Sequence, residues 1–387
     1  MRYLFYLGHP AHFHLFKHTI AALKAAGHPT CILIKKKDVL EELLSGSGWD
    51  YTNILPNGRG DDLLSMARGL LNRDWRLFSR VLSFKPTLMI GTSAEITHIG
   101  HFFDIPSIVV NEDDVAAVPL FARLAYPLAS AILAPRCCDV GRWSSKKISY
   151  DGYHELAYLH PNRFQPDPAC VRSLIGRDSG YFMIRFAKLT AHHDAGVHGI
   201  SGAIAARITE RLEPHGPVFI TSERELEPEF EKYRLAADPA QIHHFLSCAE
   251  LLVSDSQTMT AEAAVLGTPS IRCNDFVGRI GYLHELEHRY ELSYGFRPSE
   301  YGQLLSKLDQ LLARFDLRME WHKRRRILLG EKIDVTRFFL WLFENHPASL
   351  QWLRKQPQIA FRFAPRSSAP GSRTESPVPA KSARNAA

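Results

Sequence analysis

The sequence alternates short apolar runs with longer amphipathic stretches, and the alternation occurs twice along the 387 residues. In the first part the apolar runs have the length of strands, and the stretches between them have the apolar spacing of helices. Repeated strand–helix units are typical of a parallel sheet covered by helices on both faces. The predicted strands are Tyr3–Leu7, Thr30–Ile34, Tyr51–Ile54, Thr87–Ile90, Ser107–Val110 and Ala131–Leu133.

The alternation begins again after an irregular connection. Segments Gly141–Gly152 and His160–Pro168 show neither pattern, so we place a domain boundary there. Further strands are predicted at Tyr181–Ile184, Val218–Thr221, Leu251–Val253 and Ser270–Arg272. The sequence therefore predicts an α/β protein of two doubly wound, Rossmann-like domains, residues 1–163 and 164–335, that face each other across a cleft.

The remainder of the chain divides into two parts. Residues 336–363 are helical in pattern and rich in aromatic side chains, so we expect them to dock on the body of the protein. Residues 364–387 have the Pro, Ser, Ala and Arg content of a disordered tail. This tail has four basic side chains and one acidic one, so its net charge of +3 is half of the net charge of +6 of the whole chain. The basic balance is thus weak evidence for a nucleic-acid partner, and we expect none.

The cysteines and the apolar segments indicate in which cellular compartment the protein works. The six cysteines form no CxxC pair, which is typical of a reducing compartment. No apolar segment has the length of a signal-peptide core or of a spanning helix, so we expect a cytoplasmic protein. The stretch Asp61–Lys85 places five basic side chains among apolar ones. It is either a core-packed helix with a solvated face or a helix that lies on the inner face of an anionic membrane.

The first turn of the first domain is rich in histidine. Gly8-His9-Pro10-Ala11-His12-Phe13-His14 follows the first strand and precedes a helix predicted at Leu15–Ala26. With one glycine it is not the dinucleotide fingerprint GxGxxG. A histidine here suits a general base for a sugar hydroxyl or a contact to a diphosphate, and a surface or capping role is the alternative. A metal at His12, His14 and His18 would lack a nearby carboxylate or cysteine, so no metal is predicted.

A second polar loop, Ser254–Thr260, follows a predicted strand and leads into a helix near Thr258. Hydroxyls and free N–H groups at a helix N-terminus suit an anion such as phosphate. Glu262 lies one turn further on the same face, where its carboxylate can accept hydrogen bonds from ribose hydroxyls. The alternative is that Ser256 only caps the helix and that Glu262 is a solvated acid.

Three short motifs of the second domain resemble the nucleotide-sugar site of GT-B proteins: Asp255-Ser256, Glu262-Ala263 and Leu266-Gly267-Thr268-Pro269. They are most similar to non-hydrolysing UDP-N-acetylglucosamine 2-epimerases, whose loop reads D-S-G-G, followed by E-A and L-G-x-P. The resemblance implies that Ser256, Gln257 and Thr258 bind the diphosphate and that Glu262 binds the ribose. Gln257 and Thr258 stand where the epimerases have two glycines.

The first domain adds two resemblances. The run from His12 to Gly27 is similar to GT-B glycosyltransferases, including the enzyme that adds N-acetylglucosamine to the peptidoglycan lipid precursor. This implies His12 as the base and His14 as the reserve. Over residues 1–345 the chain most closely resembles a GT-B-like family of bacterial and archaeal proteins known only as a domain of unknown function. The segments that carry this resemblance are Pro10–Lys17, Asn111–Asp114, Tyr150–Asn162 and Arg185–Asp194.

Epimerases and transferases need different groups. The epimerases have a Gly-Asp-Thr turn with a catalytic Asp after the fourth strand, whereas this chain reads Gly91-Thr92-Ser93. Glu112 and Asp113 follow the fifth strand, near the place of a catalytic Glu in the epimerases, so an acid/base pair stays open. Transfer needs one base for the acceptor and support for the departing diphosphate, and the sequence favours transfer.

Arginine is the residue for bidentate phosphate contact, which makes Arg185 and Arg272 diphosphate candidates. The run His192-His193-Asp194 is a metal site or a stabilising turn.

The sequence thus predicts a GT-B glycosyltransferase in polysaccharide or glycoconjugate synthesis. We expect the first domain to hold an acceptor, for which a lipid-linked one is a candidate, and the second to bind a nucleotide sugar, with a UDP-sugar favoured. No cofactor or metal is expected beside this substrate. The catalytic candidates are His12, His14, Glu112 and Asp113, and the nucleotide-sugar candidates are Arg185, Asp255, Ser256, Gln257, Thr258, Glu262 and Arg272. The alternatives are an epimerase-like enzyme and a non-catalytic sugar-nucleotide binding protein.

Overall fold

The computed structural model describes residues 1–35, 39–55, 75–188 and 198–365. Three features expected from the sequence fall mainly or wholly outside these ranges: the tail after residue 365, the run His192–Asp194, and the first half of the basic stretch Asp61–Lys85.

Seven parallel strands form the sheet of the first domain, in the order β3-β2-β1-β4-β5-β6-β7. They are β1 (Tyr3–Leu7), β2 (Thr30–Lys35), β3 (Thr52–Leu55), β4 (Leu88–Gly91), β5 (Ser107–Val110), β6 (Ala131–Pro135) and β7 (Lys147–Tyr150). The central strand β1 is buried along its whole length, as expected for a sheet covered on both faces.

Five parallel strands form the second sheet, in the order β12-β11-β10-β8-β9. They are β8 (Phe182–Phe186), β9 (Val218–Ser222), β10 (Leu251–Ser254), β11 (Ser270–Cys273) and β12 (Ser293–Phe296). The predicted α/β fold of two doubly wound sheets is confirmed.

Helices cover both sheets. Those of the first domain are α1 (Pro10–Ala25), α2 (Leu40–Ser47), α3 (residues 75–84 where described), α4 (Glu95–Phe102) and α5 (Pro119–Ala125). Those that follow are α6 (Pro168–Ile175), α7 (Gly202–Leu212), α8 (Ile242–Cys248), α9 (Gln257–Leu266), α10 (Gly281–His288), α11 (Tyr301–Leu312) and α12 (Leu317–Glu331). The last two are α13 (Val335–Glu344) and α14 (Ala348–Lys355).

Two expectations about local structure were wrong. The segment Gly141–Gly152 is not wholly irregular, because Lys147–Tyr150 alternates half-buried and buried side chains and pairs with β6 as β7. The first helix begins at Pro10 rather than Leu15. His9 caps it by accepting a hydrogen bond from the Ala11 N–H, and proline is favoured at a first helical position because its φ is already helical. His12 and His14 therefore lie in the first turns of α1 and not in a loop.

The C-terminal helices return to the first domain. In α13, Phe343 contacts Phe5 and Phe339 contacts Phe16, with ring centroids 6.3 Å apart in each pair. The Tyr3 hydroxyl donates a 3.2 Å hydrogen bond to the Phe343 carbonyl. The chain after the second domain thus completes the core beneath β1 and α1.

The described part of the basic stretch has both buried and exposed apolar side chains. In α3, Leu77 and Val81 are buried, whereas Trp75 and Leu82 are exposed. Among the described residues, no helix combines the length and the apolarity needed to cross a membrane.

Candidate functional site

Both sheets place polar loops at the point where the strand order reverses. The chain leaves β1 toward β2 on one side and returns on the other side at β4, so the loops after β1 and β4 are neighbours. In the second sheet the same holds for the loops after β8 and β10. Open parallel sheets bind ligands beyond the carboxyl ends of their strands at such points. The candidate site is therefore the cleft between these loops.

The loop after β1 fixes the ring of His12. The Gly8 N–H donates a 3.0 Å hydrogen bond to His12 Nδ1, and the Thr92 hydroxyl oxygen lies 2.7 Å from the same nitrogen. Thr92 follows β4, so the contact joins the two loops of the reversal point. The sequence prediction considered Thr92 only for its lack of a carboxylate, whereas the structure gives it a direct contact to His12.

The environment of His12 disfavours a positive charge. Burial lowers the pKa of His12 well below its usual value, and the positive forms of His9, His154 and Lys35 lower it further. The imidazole ring is therefore neutral at pH 7.

His14 and Glu262 lie in a buried cluster between the domains. The Glu262 Oε1 atom accepts hydrogen bonds from the Tyr158 hydroxyl at 2.7 Å and from His243 Nε2 at 2.9 Å. The His14 ring lies 4.8 Å from the His243 ring and 5.3 Å from the Tyr158 ring, and Lys17 Nζ lies 3.4 Å from His14 Nδ1. Burial, followed by His243 and Lys17, lowers the pKa of His14 well below its usual value.

Two contacts from His154 fix the position of the Glu112 carboxyl group. The His154 backbone N–H donates to Glu112 Oε2 at 3.0 Å, and His154 Nδ1 lies 3.2 Å from Oε1. The carboxyl side chain keeps 14% of its surface exposed, so a ligand can reach it. Burial raises the pKa of Glu112 well above its usual value against the effect of the His154 N–H, and Asp113 and Glu262 raise it further. Burial lowers the pKa of His154 to about 3.

Glu155 adds a second buried carboxyl beside this pair. It lies in the 3-10 turn His154–Ala157 and is fully buried, and within the described residues neither carboxyl oxygen has a hydrogen-bond partner. Burial, followed by Glu112, raises the pKa of Glu155 well above its usual value. Both carboxyls therefore bind protons more tightly than exposed glutamates.

Arg185, at the end of β8, forms an ion pair with Glu223. Burial alone would raise the pKa of Glu223, but the Arg185 guanidinium and the Lys188 N–H hold it below its usual value. His9 also lowers the pKa of Glu223, so the first turn of the first domain lies near this pair across the cleft. Both side chains of the Arg185–Glu223 pair are partly exposed.

Asp255 braces the loop after β8. Its carboxylate accepts hydrogen bonds from the N–H groups of Ala187 at 2.6 Å and Ile200 at 3.2 Å. A Cβ at Gly199 would lie 2.6 Å from Asp255 Oδ2, so only glycine fits there. Burial raises the pKa of Asp255 to about 6, against the effect of the two backbone hydrogen bonds.

The N-terminus of α9 is partly exposed at the carboxyl end of β10. Ser256 caps it by accepting a hydrogen bond from the Met259 N–H at 3.3 Å, and Ser256, Gln257 and Thr258 are half-buried. The capping role considered from the sequence is thus present, and the first turn keeps its positive dipole end toward the cleft.

Arg272, like Asp255, is buried in the second domain and not exposed at this surface. It is 1% exposed, and its guanidinium donates to Glu287 Oε1 at 2.8 Å and to Asn274 Oδ1 at 3.2 Å. Asn274 in turn donates to the Asp255 carbonyl at 2.8 Å. Arg272 thus stabilises the loop before α9 through Asn274. Its phosphate role stays a prediction, which would require the ion pair with Glu287 to break.

The remaining candidates lie at the carboxyl ends of strands or in the helices that follow them. His12, Glu112 and Asp113 follow β1 and β5 of the first sheet, and Arg185, Asp255, Ser256, Gln257 and Thr258 end or follow β8 and β10 of the second. His14 and Glu262 both contact His243 in the buried cluster between the domains. Sequence reasoning missed His154, His243 and Glu223 as partners of these residues. His154 lies within a segment that carries the family resemblance, but nothing local marks His243 or Glu223. Within the ranges that the structure describes, no group of three or more His, Cys, Asp or Glu side chains is arranged so that it could hold a metal ion.

Family comparison agrees with this architecture. Residues 5–280 match the model of a family described as "Protein of unknown function (DUF354)". The chain belongs to the DUF354 family. None of the curated proteins matches this DUF354 member by sequence.

Several solved structures are similar to this DUF354 chain in fold. UDP-GlcNAc 2-epimerase from Neisseria meningitidis, bound to UDP-GlcNAc, is 14% identical with a TM-score of 0.58, over 84% of this chain and 94% of that one. Spinosyn rhamnosyltransferase SpnG, complexed with thymidine diphosphate, is 16% identical with a TM-score of 0.61, over 89% of this chain and 100% of that one. S. aureus MnaA, in a structure with UDP, is 11% identical with a TM-score of 0.58, over 83% and 91%. The predicted GT-B fold is therefore confirmed, and at these identities the likeness concerns the fold alone.

Proposed function

We propose that this protein is a nucleotide-sugar-dependent glycosyltransferase that works in the cleft between its two sheets. The observation that carries the proposal is the open N-terminus of α9, with Ser256, Gln257 and Thr258 half-buried beside Arg185. A helix dipole and a guanidinium together bind and stabilise a diphosphate without a metal. The structures with UDP-GlcNAc and thymidine diphosphate support a nucleotide sugar as the ligand of this fold.

The donor nucleotide would lie on the second domain. The diphosphate binds at the α9 N-terminus and Arg185, which exchanges Glu223 for the phosphate. Glu262 lies one turn deeper, where Tyr158 and His243 hold Oε1. The second oxygen, Oε2, remains for the ribose hydroxyls.

Glu112 would act as the base for the acceptor hydroxyl. Burial raises the pKa of Glu112, so its carboxylate is a stronger base than that of an exposed glutamate. His154 is the positioning residue that fixes the carboxyl from the side away from the cleft. The leaving diphosphate is stabilised where its charge develops, by α9 and Arg185.

Transfer is favoured over epimerisation by the loop after β4. Epimerisation must remove a proton from a sugar carbon and return it on the other face. The loop Gly91-Thr92-Ser93 offers no carboxyl for this, and the Thr92 hydroxyl lies against His12. A polysaccharide or lipid-linked acceptor, the cytoplasmic side of a membrane and a UDP-sugar donor are the finer parts of this proposal.

A nucleotide-sugar epimerase is the second candidate, and a specific observation favours it. Glu155 is buried and Glu112 keeps 14% of its side chain exposed, and burial raises the pKa of both carboxyls. Two carboxyls with raised pKa values can hold and release protons, which suits proton exchange at a carbon.

The deciding experiment incubates the purified protein with UDP-, dTDP-, GDP- and CMP-sugars and follows the sugar by NMR, with thermal stability in parallel. The proposal expects stabilisation by one nucleotide class, and sugar transfer once cell-extract acceptors are added. Stereochemical change at the sugar without any acceptor contradicts transfer and supports the epimerase. Stabilisation without turnover in any mixture contradicts both and supports a binding protein.

A further inference from the structure

The hydrogen bonds of His12 decide which of its ring nitrogens carries the hydrogen. The Gly8 N–H points at Nδ1 over 3.0 Å, and a backbone N–H can only donate. Nδ1 is therefore the bare nitrogen, and the Thr92 hydroxyl, 2.7 Å away, is a second donor to it. In the neutral ring the hydrogen must be on Nε2.

The ring stays neutral mainly because it is buried, and the positive forms of His9 in the same turn and of Lys35 at the end of β2 oppose its protonation further. A charge on His154 would act in the same direction, but burial lowers the pKa of His154 to about 3, so that ring is uncharged near pH 7. Thr92, from the β4 edge, is uncharged. The ring also lies in the first turn of α1, whose positive dipole end acts in the same direction. His12 thus has no lone pair available to take a proton from a ligand.

The His12 ring is half-buried. Among the described residues none accepts a hydrogen bond from Nε2, and Nε2 is not one of the fully buried polar atoms that lack a partner, so a ligand can reach it. Lys35 lies over the same turn, since a Cβ placed on Gly8 would be 3.2 Å from Lys35 Cε and 3.7 Å from Nζ. The Lys35 ammonium acts on the His12 ring, and a fixed N–H donor in the field of an ammonium group favours an anionic oxygen.

We propose that His12 Nε2–H and the Lys35 ammonium bind an anionic oxygen of the donor's diphosphate, so that His12 is a hydrogen-bond donor and not the base. This inference rests on the proposed function and replaces the role expected for His12 from the sequence. His9, in the same turn, is close enough to Glu223 to influence it, and Glu223 pairs with Arg185. The two domains therefore present their phosphate-binding groups to one region of the cleft.

The first test is independent of any activity. In ligand-free protein with ¹⁵N-labelled histidine, we expect His12 to show a bare Nδ1 and a protonated Nε2 from below to above pH 7. Titration with inorganic pyrophosphate should shift the His12 Nε2–H resonance. A protonated Nδ1, a titration near the usual histidine pKa, or an Nε2–H that saturating pyrophosphate leaves unmoved would each overturn the proposal.

The second test compares UDP with uridine by calorimetry in His12→Phe, His12→Gln and Lys35→Met. Loss of a hydrogen bond to a charged oxygen predicts an affinity for UDP that is about tenfold weaker in His12→Phe and Lys35→Met, with uridine unchanged. His12→Gln retains an N–H donor and should recover most of the UDP affinity. His101→Phe, on the exposed end of α4, is the matched control. Equal losses for UDP and uridine, or no rescue by Gln, would contradict the proposal.

The two tests separate this inference from the proposed function. If the wild-type protein binds neither UDP nor any nucleotide sugar, the proposed function fails. The ring-nitrogen assignment and the pyrophosphate titration still decide the role of His12 in that case.

Discussion

The Tyr158 hydroxyl donates a 2.7 Å hydrogen bond to the Glu262 carboxylate, and this bond joins the crossing between the domains to the helix proposed to bind the nucleotide. Both residues are buried. We expect Tyr158→Phe to lower the free energy of unfolding by about 1–3 kcal/mol, because a buried carboxylate loses one of its donors. Urea unfolding measures the change, and Tyr301→Phe, on an exposed side chain, is the control. Equal stabilities of the two variants would show that the bond contributes nothing.

The proposed base predicts an acidic limb in the pH–rate profile. Glu112 must be ionised to accept a proton, and its pKa is raised by burial, so turnover should fall as the pH is lowered through that raised pKa. Glu112→Gln should lower turnover by about a hundredfold or more and remove this limb. Glu229→Gln, on an exposed position, should leave the profile unchanged. An acidic limb that persists in Glu112→Gln would assign the base elsewhere.

Much of the fold can be predicted from the sequence, because the spacing of apolar residues and the Gly and Pro residues that end helices and strands are local signals. The sequence predicts ten of the twelve strands found in the described residues. The two that it misses, β7 and β12, are four residues long, and they are strands because they pair with β6 and β11. The start of α1 was misplaced because a histidine cap is a weaker signal than Ser or Asp.

The site was only partly predictable for a related reason. The α9 loop has a motif, so Ser256 and Glu262 could be found from spacing. The partners of the candidates come from distant parts of the chain, as His243 does for Glu262 and Glu223 does for Arg185, and only the tertiary structure brings them together. The burial of Arg272 could not be predicted either, because the strand pattern does not show that Glu287 of α10 supplies a partner for a charged side chain inside β11.

The buried pair of Arg272 and Glu287 gives a test of that residue. Arg272→Met leaves Glu287 buried without its partner, so we expect a loss of about 3–5 kcal/mol in the free energy of unfolding. The double variant Arg272→Met with Glu287→Met should be less destabilised than the single one. Calorimetry with UDP at a temperature where the variant is folded should show unchanged affinity. A variant of normal stability with weakened UDP binding would instead support the phosphate role expected from the sequence.

Asp255 predicts a pH dependence of stability. Its pKa is about 6 in the folded protein against 3.8 for the usual value, so the folded state holds the proton more tightly. The resulting stabilisation is fully present below about pH 4 and is lost as the pH rises through 6, by at most about 3 kcal/mol. Asp255→Asn should remove this part of the profile, so the stability difference between wild type and variant should change between pH 4 and 7. Parallel stability curves in urea would contradict the assignment.

If Glu262 binds the ribose of a nucleotide, the affinities for uridine and UDP in Glu262→Gln will show it most directly. Gln keeps the size of the side chain and one acceptor oxygen, and thermal unfolding can verify that the variant is folded before calorimetry. We expect wild type to bind UDP and Glu262→Gln to bind both ligands about tenfold more weakly, because the ribose hydroxyls lose a charged acceptor. A folded Glu262→Gln protein that binds UDP and uridine as tightly as wild type would contradict it.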